Sequence, residues 1–118
     1  MTAKNDKTEN DAKLETQLNV LRELETNPAV SQRQLASHLG VSLGSVNYCL
    51  RALVDKGFVK AENFRNNPAK VQYLYLLTPS GLSEKTRLTL AFLERKQAEY
   101  RRLQNEIENL KGELNERG

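Results

Sequence analysis

Cysteine, histidine and tryptophan are almost absent from this 118-residue sequence, which contains one, one and none of them. The single cysteine, Cys49, cannot form an intrachain disulfide, and this usage is typical of a reducing compartment. The single histidine, His38, excludes a metal cluster built on histidines, and no Ser-His-Asp set or pocket of paired carboxylates can be assembled. We therefore expect a protein that is not an enzyme and that needs no metal and no cofactor.

Long apolar segments are also missing. The sequence contains no run of 18 apolar residues, which is the length needed to span a membrane. The opening MTAKNDKTENDA has no apolar stretch that could serve as a signal peptide. We expect a cytoplasmic protein without membrane contact. Residues 1–11 have low hydrophobicity and are expected to form a disordered tail.

Acidic residues are scarce in the middle of the chain. The net charge of the whole sequence is only +3, but residues 31–73 contain six basic side chains and two acidic ones. A local excess of this kind indicates a polyanionic partner such as nucleic acid. Charge alone leaves open a plainer interpretation, which is an ordinary solvated surface.

Apolar spacing and end signals predict three helices in a compact domain. The first carries leucines at helical spacing and ends at about Thr26, before the helix-breaking segment TNP. The second begins after a capping box at Ser31 and ends at Gly40. The third begins after Ser42 and ends near Gly57. Its buried side is expected to consist of Val46, Cys49, Leu50, Leu53 and Val54.

The turn between the second and third helices lies in HLGVSLGSVNYCL, residues 38–50, where two glycines stand four apart. A phosphate-binding loop would need G-x-x-x-x-G-K-[ST] after a buried strand. Here a helix comes before the segment, and no lysine follows Gly44. Two short helices joined by a turn of about three residues that contains glycine are instead typical of a helix-turn-helix.

A predicted β-hairpin follows directly. The runs FVKAENF and VQYLYLLT are rich in strand-forming residues, and RNNPAK between them is rich in turn formers. A hairpin with a basic tip after a helix-turn-helix is the winged-helix arrangement, in which the wing carries cations to the phosphate backbone or minor groove of DNA. Tyr73 and Tyr75 share one strand face, and we expect both to pack against the C-terminal helix.

These motifs carry a family resemblance. The run SQRQLASHLGVSLGSVNYCLRALVDKGFV, followed by YLYLLTPSG, resembles the winged-helix domain of MarR-type transcriptional regulators. The combination of VNYCL, ENFRN and YLLTP is most similar to the small MarR-like regulators associated with bacterial exopolysaccharide (EPS) gene clusters. The resemblance covers about residues 14–110. Larger MarR proteins have additional helices that form the dimer and often a small-molecule pocket, so the resemblance implies no effector for this shorter pattern.

The third helix is expected to be the recognition helix, whose amino-terminal half meets base edges in the major groove. Asn47 and Tyr48 are the candidates for reading bases, because Asn can pair with adenine and Tyr can donate a hydrogen bond or contact a thymine methyl. Ser42 and Ser45 are candidates either for phosphate contact or for helix capping. The other predicted DNA contacts are Gln32, Arg33, Leu43, Gly44, Arg51, Arg65, Asn66, Asn67 and Lys70.

The last third of the sequence predicts one long helix that dimerises. Thr78 can cap it, and Pro79 suits its first position. Apolar residues at a and d positions predict a coiled-coil seam that is broken only at Lys96. The seam residues are Leu93, Tyr100, Leu103, Ile107, Leu110 and Leu114. A solitary amphipathic helix is the weaker alternative, because its apolar stripe would have nothing to cover it.

The sequence thus predicts a mainly α fold with a small β-hairpin. The expected organisation is a disordered tail (1–11), a winged helix-turn-helix domain (12–78) and a long dimerisation helix (79–118). The predicted function is sequence-specific binding of double-stranded DNA by a homodimeric transcriptional regulator, with exopolysaccharide biosynthesis genes as the targets that the resemblance implies. The alternative is a winged-helix module that docks protein partners and does not bind DNA.

Overall fold

Four α-helices and one antiparallel hairpin make up the described part of the chain. The computed structural model describes residues 3–67 and 70–117, and it describes side chains for residues 10–63 and 73–116. The elements are α1 (Ala3–Thr26), α2 (Gln32–Leu39), α3 (Leu43–Asp55), β1 (Val59–Asn67), β2 (Lys70–Leu77) and α4 (Pro79–Arg117). The predicted fold class is therefore confirmed. Among these described helices, none has both the length and the apolar character that crossing a membrane requires.

Helix α1 ends at Thr26, as predicted, but it begins at Ala3. A disordered tail was expected over residues 1–11, and in the structure residues 3–11 continue this helix. This stretch contains no proline or glycine, and its alanine, lysine and glutamate residues favour helix. Extending a helix that is already formed adds one backbone hydrogen bond for each residue that is ordered. Helix α1 therefore continues outward from its buried part.

The start of α2 is fixed by the predicted capping box. The Ser31 hydroxyl accepts a hydrogen bond from the Gln34 backbone N–H at 3.0 Å, and the Gln34 side-chain oxygen accepts one from the Ser31 backbone N–H at 2.9 Å. At the other end Gly40 adopts the left-handed conformation with φ 68°, which favours glycine. Its N–H donates to the Ala36 carbonyl, so the chain turns sharply toward α3.

Helix α3 supplies one buried face, as the spacing predicts. Val46 and Leu53 are fully buried, and Cys49 and Leu50 are almost so. Val54 was expected on the same face but is 37% exposed. At 100° per residue it lies about 80° from Val46, at the margin of the apolar stripe, and this position leaves it partly in solvent.

The hairpin is longer than the composition predicts. The antiparallel register is regular from the pair Val59 and Leu77 to the pair Arg65 and Val71. The register then shifts, and Asn67 pairs with Lys70. The additional residue on β1 makes a β-bulge, which allows the turn-forming Asn residues to continue the strand.

One core is shared by the helices and the start of the hairpin within the compact unit Met1–Thr86. Its apolar side chains interlock three helical faces with β1, and each such side chain stabilises the fold by roughly 1.5–3 kcal/mol relative to an exposed position. The buried members in this unit are Leu18, Val20, Leu21, Leu24, Val30, Leu35, Val46, Cys49, Leu50, Leu53 and Val59.

The first turn of α4 is held against the short segment that connects α3 to β1. The Thr78 backbone N–H donates to the Phe58 carbonyl at 3.1 Å, and the Thr78 hydroxyl donates to the Gly57 carbonyl at 2.6 Å. The same hydroxyl accepts from the Gly81 N–H at 3.0 Å and so caps the helix as predicted. These contacts include the start of α4 in the first unit, and the second unit, Arg87–Gly118, consists of the remainder of that helix.

Candidate nucleic-acid interface

Helix α3 presents a polar outer face opposite its buried one. The six residues predicted to point outward are all exposed: Leu43, Gly44, Ser45, Asn47, Tyr48 and Arg51. Tyr48 is the most prominent, with 68% of its surface accessible. The exposure of these residues is confirmed, whereas their contacts with DNA stay predictions.

The serines at the start of α3 act in the cap. The Ser42 hydroxyl accepts a hydrogen bond from the Ser45 backbone N–H at 3.0 Å and donates to the Ser45 hydroxyl at 3.0 Å. Both serines remain exposed. Of the two roles predicted for these serines, phosphate contact and helix capping, Ser42 therefore has the capping role. The exposed amino terminus of α3 also carries positive dipole character that suits a phosphate.

Asn47 takes part in a chain of side-chain hydrogen bonds. Its amide nitrogen Nδ2 donates to Oε1 of Gln32 at 3.2 Å, and Nε2 of Gln32 donates to the Tyr75 hydroxyl at 3.2 Å. Tyr75 was expected to pack against the C-terminal helix together with Tyr73. Instead its hydroxyl meets the start of α2, and Tyr73 is 56% exposed. The hairpin is thus linked to α3 through one glutamine.

A groove runs between α1 and the amino-terminal half of α3. It has a volume of about 450 Å³, and its walls include Thr16 and Gln17 on one side and Gly44 on the other. At its edge the Lys13 ammonium lies 6.0 Å from the centre of the Tyr48 ring, within the range of a cation–π contact. Sequence reasoning missed Lys13, because helical spacing alone does not show that α1 crosses beside α3.

Two basic side chains of the helix-turn-helix point into solvent. Arg33 on α2 and Arg51 on α3 are both exposed. No ion pair joins Arg51 to Asp55, although their spacing allows one and both lie in the described part of the chain. Arg51 therefore keeps its donors available for an anion in the free protein.

The predicted wing contacts occupy the far end of the hairpin. The backbone of Arg65, Asn66 and Asn67 belongs to β1, and that of Lys70 begins β2. The side chains of these four residues lie outside the described residues, so their contribution stays a prediction.

Cys49 is packed as a small apolar residue. It is 5% exposed. Burial raises the pKa of its thiol to about 11, and the nearby Lys56 lowers it by less. A thiol with so high a pKa has little thiolate at neutral pH, and only the thiolate reacts readily with oxidants. Its environment is that of a core residue.

Metal-binding groups do not cluster in the described part of the chain, where no three His, Cys, Asp or Glu side chains come together. His38 instead lies 3.2 Å from both carboxylate oxygens of Glu23. This contact ties α2 to α1 on the surface.

Comparison with known proteins agrees with this geometry. Residues 13–60 match the family model described as winged helix-turn-helix DNA-binding. The matched segment contains the buried half of α1, both helices of the helix-turn-helix and the start of the hairpin. This chain has a winged helix-turn-helix domain. No curated protein sequence has significant similarity to it.

Solved structures of similar fold extend the comparison beyond residue 60. A single-residue mutant of MepR from Staphylococcus aureus is 24% identical with a TM-score of 0.61, and the match covers 97% of this chain and 88% of MepR. The PcaV transcriptional regulator of Streptomyces coelicolor is 22% identical with a TM-score of 0.60, covering 70% of this chain and 57% of PcaV. MarR of E. coli is 26% identical with a TM-score of 0.51, covering 61% and 52%. The chain thus spans less than two thirds of PcaV and of MarR.

Proposed function

We propose that this protein is a MarR-like transcriptional regulator that binds double-stranded DNA with α3 in the major groove. The observation that carries the proposal is that α3 has one apolar buried face and one polar exposed face. Its apolar side is locked into the core, and its outer side presents Asn47, Tyr48 and Arg51 to solvent. The winged helix-turn-helix match and the likeness to named regulators support the same function. Acting on genomic DNA places this activity in the cytoplasm.

The proposed complex divides its contacts between bases and phosphates. Asn47 and Tyr48 read base edges, since the amino-terminal half of a recognition helix enters the groove. Arg33 and Arg51 contact phosphates on either side, and Arg65 and Lys70 at the wing tip contact the backbone or minor groove. Phosphate contacts fix the register of the protein on the duplex, and the base contacts then select the sequence.

We further propose a homodimer formed through α4. The six seam residues, Leu93, Tyr100, Leu103, Ile107, Leu110 and Leu114, are each at least 43% exposed. Apolar side chains at this a/d spacing are covered when two such helices pair. Lys96, at the one polar position of the seam, lies 3.7 Å from Glu99 on the same helix. Two recognition helices then meet half-sites about 34–36 Å apart.

Exopolysaccharide biosynthesis genes are the first targets to test, because the motifs VNYCL, ENFRN and YLLTP resemble regulators of such clusters. Selection from random duplex DNA identifies the operator directly. A palindromic or pseudo-palindromic consensus is the expected result for a dimer. Upstream regions of exopolysaccharide genes are then searched for that consensus.

Salt dependence of duplex binding tests DNA recognition. We expect affinity to fall steeply between two salt concentrations, because binding releases counterions from the phosphates. Replacing Arg65 and Lys70 with alanine should weaken specific and non-specific binding alike and lower the salt slope by up to about 2. Replacing Arg101 and Lys111 on α4 with alanine removes the same charge and should leave the slope unchanged. Failure of the wild-type protein to bind duplex at low salt would instead favour a protein-docking module.

A further inference from the structure

Three elements are joined by the hydrogen bonds that end at Asn47. The chain runs from Tyr75 on β2, through Gln32 at the start of α2, to Asn47 on α3, with both donor–acceptor distances at 3.2 Å. These residues lie 43 and 15 positions apart in the sequence. Only the folded domain brings them together.

The two members that support Asn47, Tyr75 and Gln32, are themselves held in place by backbone structure. The Tyr75 backbone N–H donates to the Pro28 carbonyl at 3.0 Å, and Tyr75 pairs with Ala61 across the hairpin. Gln32 is the first residue of α2, immediately after the capping box at Ser31. Both Tyr75 and Gln32 are partly buried, whereas Asn47 is exposed. The partly buried Tyr75 and Gln32 therefore support the Asn47 side chain, which faces solvent.

The hydrogen bond to Gln32 uses only part of the Asn47 amide. A primary amide has two N–H donors and one carbonyl acceptor, and Gln32 takes one donor. The remaining N–H and Oδ1 are one donor and one acceptor, the two kinds of group that a bidentate contact with adenine uses at N7 and at the N6 amino group. The contact thus leaves one donor and the acceptor of the Asn47 amide available for a base.

We propose that Gln32 and Tyr75 are positioning residues that set the base specificity of Asn47. The terminal torsion of a free Asn side chain is broad and nearly two-fold, so without support the amide presents either edge to a base. The chain of hydrogen bonds selects one orientation before DNA arrives and reduces the ordering cost on binding. This inference rests on the proposed function, because it concerns how the recognition helix discriminates between bases.

The experiment compares Tyr75→Phe with Tyr73→Phe. Both substitutions remove a single hydroxyl from the same strand, but the Tyr73 ring is 56% exposed and takes no part in the chain to Asn47. Binding is measured against four duplexes that differ only at the base pair where Asn47→Ala has its effect. We expect Tyr75→Phe to reduce discrimination there by about two- to tenfold, the effect of one neutral hydrogen bond. Tyr73→Phe should change nothing.

Further measurements separate positioning from a general loss of structure. Tyr75→Phe should leave the salt slope and the affinity for non-specific duplex unchanged, since no charge is removed. It should have no further effect on discrimination in an Asn47→Ala background. In the DNA-free protein, the NMR signals of the Asn47 side-chain amide should shift in Tyr75→Phe and not in Tyr73→Phe. Gln32→Met keeps the length of the side chain and should relax the same base position.

The inference is overturned if Tyr75→Phe discriminates as well as the wild type, or if it loses as much in the Asn47→Ala background. It is also overturned if Tyr73→Phe has the same effect. Failure of the proposed function is a different result, seen with the wild-type protein alone as equal binding to every duplex or to none.

Discussion

At the residue scale, the outer face of α3 carries two kinds of side chain. Some can recognise a base, and others can only contact the phosphate backbone of DNA. Asn47 offers a donor and an acceptor side by side, which is the pattern needed to recognise one base. Arg51, about one turn further along, is exposed and carries a charge that suits any phosphate. The two residues should therefore fail in different ways when they are replaced.

Asn47→Ala should cost about 1–3 kcal/mol of binding free energy at one base position and relax the preference there. Arg51→Ala should weaken binding to all duplexes and lower the salt slope by about 1. Both effects are measured by titrating a set of single-base operator variants at two salt concentrations. Uniform weakening by Asn47→Ala would show that Asn47 contacts the backbone.

Cys49 should resist thiol reagents while the domain is folded. Because burial raises its thiol pKa to about 11, about a thousandth of the population is thiolate at pH 8. The fraction rises as the pH approaches 11, so the reaction should accelerate with pH. A colorimetric disulfide reagent should label the native protein slowly and the urea-unfolded protein rapidly. Fast labelling of native protein at pH 8 would point to a reactive cysteine instead.

The sequence predicts which α3 residues face outward because helical spacing alone determines that division. Asn47 and Tyr48 can therefore be proposed from the sequence. Their supporting residues cannot, because Gln32, Tyr75 and Lys13 reach α3 from three different elements. Such contacts depend on how those elements pack, and sequence spacing within one helix carries no information about them.

At the element scale, the first turn of α4 approaches the segment between α3 and β1 too closely for a side chain at Gly81. A Cβ added at Gly81 would lie 2.0 Å from the Phe58 backbone carbonyl oxygen. That oxygen also accepts the hydrogen bond from Thr78, so it cannot move aside without a further loss. Gly81 therefore allows α4 to begin directly beside the hairpin.

Gly81→Ala should destabilise the protein by about 1–3 kcal/mol or more, because the new methyl group overpacks against backbone. Gly112→Ala is the matched control in the same helix, since nothing lies within 4 Å of a Cβ at that position. It should be neutral or stabilise the helix by up to about 1 kcal/mol. Chemical denaturation of both variants gives the comparison. Equal stability of the two variants would contradict the proposed close approach.

Element boundaries followed the local signals where these were strong. Ser31, Ser42 and Thr78 each cap a helix as their positions predict, because a cap needs only the residues of the next turn. The tail and the hairpin were less predictable. Residues 3–11 have weak apolar character yet continue α1, and the bulge between Arg65 and Asn67 depends on pairing with another strand.

At the scale of the whole molecule, α4 leaves an apolar stripe without cover in the isolated chain. Leu103 is 43% exposed, and Ile107 and Leu110 are 50% and 59% exposed. One helix-turn-helix contacts only a few base pairs, so a regulator of useful affinity needs two copies on one face of the duplex. Pairing of two α4 helices would cover the apolar stripe and would also bring two helix-turn-helix domains together.

We expect the wild-type protein to sediment as a homodimer at tens of micromolar. Changing Leu103 and Ile107 to glutamate should give a folded monomer that binds a single half-site weakly, because two charges would face each other in the seam. Asn105→Glu with Asn109→Glu is the matched control, with the same charge and spacing but outside the predicted seam. That control should stay dimeric. A monomeric wild type, or a dimer that survives the Leu103 and Ile107 changes, would show that α4 has another role. Isolated helices of about two clean heptads are only marginally stable, so the winged domain or the apolar cluster from Leu82 to Leu93 is also expected to help hold the dimer together.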